Sequence, residues 1–78
     1  MTKAIIEDYN GNTISEIPIN LSYLEMGMYS FKSIELGEFS IADIDEDEEG
    51  NECVRFQYTS EGEVPQQEIN SLITNLNH

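Results

Sequence analysis

Residues 43 to 52 read Asp-Ile-Asp-Glu-Asp-Glu-Glu-Gly-Asn-Glu, seven carboxylates in ten positions. No core can take such a run, because an ionised carboxylate buried without a partner costs more than a small domain can offset. Whatever the chain folds into, this stretch has to lie in solvent at a tip or an edge. The three bases, Lys3, Lys32 and Arg55, all stand elsewhere in the sequence. On that pattern the acidic run is not neutralised from within.

The flanks say what kind of tip it is. Phe39-Ser40-Ile41-Ala42-Asp43-Ile44 precedes the run and Cys53-Val54-Arg55-Phe56-Gln57-Tyr58 follows it. In the second segment Val54, Phe56 and Tyr58 alternate with Cys53, Arg55 and Gln57, the period of a strand with one buried face. Gly50-Asn51 supplies turn chemistry between the two. The pattern predicts a β-hairpin with the acids at its tip. Crowding there is expected to favour protonation and to raise the carboxylate pKa values.

Two further hairpins are predicted. Lys3 to Tyr9 runs into Asn10-Gly11, a strong hairpin signal, and returns through Thr13 to Ile19. Pro18, which has no N–H to donate, places the end of that return strand at a sheet edge or an exit. Met28 to Leu36 then leads through a tight turn at Gly37-Glu38 into Phe39. Asn20 to Met26 reads either as a helical turn closed by Gly27 or as a loop. Near the end, Pro65 suits a first helical turn, and Glu61, Glu63 and Glu68 suit the positive end of the helix dipole. Ile69, Leu72, Ile73 and Leu76 make one apolar stripe at helical spacing. The expected fold is a single α+β domain over residues 1–78: an antiparallel β-meander of four to five strands with one C-terminal amphipathic helix packed on it. No internal repeat is evident.

The chain's 78 residues leave room for one core. A lone cysteine, Cys53, forms no internal disulfide and suits a reducing compartment. The short apolar run after Met1 is followed at once by Glu7 and Asp8, unlike a signal peptide. A cytoplasmic protein is expected. Sixteen carboxylates against three bases give a net charge of −13, so direct binding to nucleic acid or to an anionic membrane is disfavoured.

Catalytic chemistry finds little to work with. The one histidine, His78, is terminal, and no serine or cysteine has a base near it in sequence. Exposed carboxylates lack the burial that splits the pKa values of an acid–base pair. The glycines form no phosphate-cradling pattern. No enzyme activity and no cofactor are expected. Asp45-Glu46-Asp47-Glu48-Glu49-Gly50 resembles the opening of an EF-hand loop over those six residues, but Phe56 stands where that loop needs a bidentate glutamate. The resemblance implies at most a weak site for calcium or magnesium, and no metal site is assigned. Cys53 reads as a small sheet residue whose pKa its acidic neighbours Glu52 and Asp43 would raise.

What remains is binding to protein. The predicted contact set is Asp43, Asp45, Glu46, Asp47, Glu48, Glu49 and Glu52, with an aromatic anchor from Tyr58, Tyr9 or Tyr29. Carboxylates along a hairpin can imitate phosphates. The expected partner is therefore a basic protein, such as a nuclease or another nucleic-acid-binding enzyme, met by a monomer or homodimer. This is the physical logic of the DNA-mimic inhibitors of phages, anti-restriction and anti-CRISPR proteins among them, and of immunity proteins that neutralise nuclease toxins. The likeness rests on size and charge and on no motif. The alternative is an acidic adaptor module within a larger assembly, binding without competition for nucleic acid.

Overall fold

The computed structural model describes residues 2–19 and 36–77. Four strands, β1 (Thr2–Glu7), β2 (Thr13–Ile19), β3 (Phe39–Glu46) and β4 (Glu52–Tyr58), are followed by one helix, α1 (Gln66–Leu76). The expected stretches at 20–26 and 28–35, and His78, lie outside the described residues. Of the turn predicted before β3, the Phe39 N–H donates to the Leu36 carbonyl at 3.1 Å across Gly37-Glu38.

The α+β class and the C-terminal helix packed on the sheet are as the sequence predicts. Connectivity departs from a plain antiparallel meander. The strand order is β2-β1-β4-β3. β1–β2 and β3–β4 are antiparallel hairpins, and the two central strands β1 and β4 run parallel, with Ala4 beside Val54 and Ile6 beside Phe56. The reason lies in burial. β1 carries Ala4, Ile5 and Ile6, all buried, and β4 carries Val54, Phe56 and Tyr58. The two most buried strands share the centre, and the more exposed β2 and β3 take the edges.

One face of the sheet meets α1. Ala4, Ile6, Ile19, Phe39, Val54, Phe56 and Tyr58 form a single cluster with Ile69, Leu72 and Leu76 of the helix. Ile73, the fourth member of the stripe, packs at its margin. The helix starts at an extended Pro65 with no side-chain cap, so proline precedes the first turn instead of occupying it. Its carbonyl accepts the N–H of Glu68 at 3.0 Å.

Both hairpins turn on the same five-residue device, which corrects the expectation of no repeat. Asp8-Tyr9-Asn10-Gly11-Asn12 and Asp47-Glu48-Glu49-Gly50-Asn51 share the pattern Asp-x-x-Gly-Asn. In each, the aspartate N–H donates to the asparagine carbonyl (3.0 and 2.9 Å), and the glycine N–H donates to the aspartate carbonyl (3.0 and 3.1 Å). Gly11 and Gly50 have φ of 86° and 85°, where a side chain would clash with the backbone. Asp8 Oδ1 accepts the N–H groups of Asn10 and Asn12, as Asp47 Oδ1 accepts those of Glu49 and Asn51. Because β1 and β4 are parallel, the first turn follows β1 at one end of the sheet and the second precedes β4 at the other.

An acidic hairpin on a rigid turn

The acidic run spans the end of β3, the second turn and the start of β4, so it occupies a hairpin as predicted. A bulge decides which way its side chains face. Ile41 pairs with Phe56, but the next partner of β4, Arg55, pairs with Asp43, so Ala42 is the extra residue. Because side chains alternate with a period of two, one inserted residue moves every later side chain to the opposite face. Without it, Asp43 and Asp45 would fall on the helix side with Val54. With it, Ile44 takes that side, and Asp43 and Asp45 join Arg55 and Cys53 on the other.

The charge is partly neutralised, which corrects the expectation from sequence. Arg55 reaches Asp45 at 3.5 Å and the nearly buried carboxylate of Glu7 at 3.2 Å. Lys3, beside Cys53 in the parallel ladder, reaches Asp47 at 3.4 Å. Lys3 lies 44 residues from Asp47 and Glu7 lies 48 from Arg55, and the β1–β4 pairing brings them together. Glu7 holds Arg55 above its usual pKa, with Asp45 adding to the effect.

Asp47 is a turn residue first. Its carboxylate accepts two backbone N–H groups and the Asn51 amide, at 3.0, 2.8 and 3.3 Å. The Asn51 N–H above all lowers its pKa from the ordinary aspartate value. That is opposite to the rise expected from crowding: hydrogen bonds to the charged form outweigh the cost of desolvation here. Asp8 is lowered in the same way by Asn12.

Five acids remain exposed: Asp43, Glu46, Glu48, Glu49 and Glu52. Among the described residues no base forms an ion pair with any of them. Asp43 Oδ1 accepts the N–H of Ile44 at 2.9 Å. Glu46 and Glu52 pair directly across the ladder, an arrangement that is destabilising for like charges.

Tyr58 is not an exposed anchor. It is buried on the helix face against Phe39, with ring centroids 5.2 Å apart, because it falls in phase with Val54 and Phe56. Tyr9, in the first turn, is exposed, and Tyr29 lies outside the described residues. Cys53 is buried, and burial is the leading cause of its raised pKa, followed by Asp47 and Asp45. The rise expected from sequence is present, but burial leads it rather than Glu52 and Asp43. Among the described residues no three side chains of metal-binding type converge, and no helix is long and apolar enough to cross a membrane. No family model, curated protein or solved structure matches this chain.

Proposed function

We propose that this protein acts by binding rather than by catalysis, and that the β3–β4 hairpin occupies a basic surface on another protein, one built to hold nucleic acid. The observation that carries the reading is the set of five exposed acids that form no ion pair among the described residues, on a turn that the Asp47 carboxylate holds in one shape. A rigid display does not have to be ordered at the moment of binding, which favours affinity. A groove lined with lysine and arginine that holds phosphates would also meet closely spaced negative charge on this hairpin. Facing like charges such as Glu46 and Glu52 cost stability, and retaining them is consistent with a role in recognition.

The test replaces Glu46, Glu48, Glu49 and Glu52 by glutamine and leaves Asp47 in place to hold the turn. The partner is first captured from the native host with the wild-type protein. Its association is then measured against salt for both forms, with and without competing duplex nucleic acid. The variant is expected to associate at least tenfold more slowly at low salt, with a shallower salt dependence. An unchanged on-rate at low salt sinks the hairpin as the contact surface. Binding that nucleic acid does not compete with rules out mimicry and leaves the adaptor reading.

A further inference from the structure

One asparagine of the chain precedes a glycine, in the Asn10-Gly11 pair of the first turn. That pair suits a hairpin, and it also sets two groups side by side that can react with each other. Gly11 has no side chain to shield its nitrogen, and nothing lies within 4 Å of where a Cβ would stand. Asn10 is exposed, and its side-chain amide forms no hydrogen bond among the described residues. The other asparagines of the turns are engaged: Asn12 and Asn51 donate to the Asp8 and Asp47 carboxylates. Asn70 and Asn75 lie within α1, where the backbone N–H that follows each is held in the helix ladder. In the second turn the position matching Asn10 is Glu49, which has no ammonia to lose.

We propose that Asn10 is a site of spontaneous covalent modification, converted through a cyclic imide to aspartate and isoaspartate, with the Asp8 carboxylate acting as the brake. The Gly11 nitrogen gives its lone pair to the side-chain carbonyl carbon of Asn10, forming a C–N bond. The bond from that carbon to the amide nitrogen breaks, and ammonia leaves with the proton that Gly11 gave up. Water then opens the imide. Attack at the side-chain carbonyl restores the ordinary peptide link, with aspartate at position 10. Attack at the backbone carbonyl leaves the chain running through the side chain, as isoaspartate. The net change is amide plus water to carboxylic acid plus ammonia, with no oxidant, reductant or cofactor.

The turn restrains the first step. The Gly11 N–H donates to the Asp8 carbonyl at 3.0 Å, so its nitrogen attacks only when the turn opens. Asp8 Oδ1 holds the turn closed through the N–H groups of Asn10 and Asn12, at 3.0 and 2.9 Å. Exposed loops open locally at a small fraction of the global unfolding free energy. Either product adds a carboxylate at the end of the sheet opposite the acidic hairpin. The isoaspartate form also puts an extra carbon into the backbone of the turn.

The full-length protein is incubated in warm neutral buffer, folded and in parallel unfolded in urea, and its peptides are mapped over time by mass spectrometry. Folded wild type is expected to convert at Asn10 to both products, more slowly than the unfolded chain. Asn10→Gln should abolish conversion in the first turn, because the larger ring forms far more slowly. Asp8→Ala should convert about tenfold faster than wild type, the factor that follows from losing one hydrogen bond to a charged acceptor. Circular dichroism checks that it is folded, and if it is not, Asp8→Asn takes its place with a smaller acceleration expected. Asn10 that stays intact in the folded protein, over an incubation that converts the unfolded chain, overturns the site. Aspartate formed without isoaspartate overturns the imide route. A folded wild type that converts as fast as the unfolded chain, or a folded Asp8 variant no faster than wild type, overturns the brake.

Discussion

Shortening Leu72 to alanine tests whether α1 docks on the sheet as described. Leu72 is 1% exposed and packs within the cluster that includes Val54 and Phe56. The substitution removes three carbons, worth about 0.8 kcal/mol each by transfer, or about 2.4 kcal/mol in all. The cavity left behind adds to this, and measured losses for buried leucines run to about 5 kcal/mol. A loss of about 3–4 kcal/mol is expected, against a total stability of order 5–15 kcal/mol for a domain. In a domain of this size 3 kcal/mol corresponds to a fall in Tm of roughly 12–24 °C. Urea unfolding followed by circular dichroism gives the free energy, and an unchanged slope would show that the native state kept its compactness. Ile73→Ala is the internal comparison. Ile73 is half-buried at the margin of the cluster and should lose clearly less. A Leu72→Ala loss below about 1 kcal/mol, or an Ile73→Ala loss that matches it, would refute this orientation of the helix.

Thr2→Val should stabilise, because Thr2 Oγ1 is buried with no hydrogen-bond partner among the described residues. Removing an unsatisfied hydroxyl at constant shape is expected to gain about 1–3 kcal/mol in the same unfolding assay, and a loss would show that the hydroxyl is satisfied in solution. Acid should destabilise through Asp8 and Asp47. Both folded pKa values lie below the unfolded value, so their contribution is complete above about pH 4 and is lost as pH falls through the folded values. The double variant Asp8→Asn, Asp47→Asn keeps an oxygen in each turn but no titration, and its Tm should fall less steeply below pH 4. Added sodium chloride should raise the wild-type Tm by screening Glu46 from Glu52. Glu52→Gln should raise the Tm at low salt and weaken that response, and equal salt responses in both proteins would count against repulsion at this pair.

Local chemistry wrote the hairpins and the helix into the sequence. The alternation of Val54, Phe56 and Tyr58, the Asn10-Gly11 turn and the stripe from Ile69 to Leu76 depend on neighbours within a few residues, so they are legible without the fold. Two local signals were also there to be read. The repeated Asp-x-x-Gly-Asn marks twin turns, and the apolar spacing of two from Phe39 to Ile41 but three from Ile41 to Ile44 marks the bulge. The same alternation that makes Tyr58 a strand residue puts it in the core, which removes it from the candidate surface. What the sequence could not supply was the parallel pairing of β1 with β4. That pairing joins residues fifty positions apart, and no pattern among near neighbours records it. It sets Lys3 beside Asp47 and Glu7 beside Arg55, and it sends the two turns to opposite ends. The amount of negative charge was therefore fixed by composition. Which carboxylates hold the turn, which meet a base and which face solvent was decided by strand order, because ion pairing depends on distance in space rather than on distance along the chain.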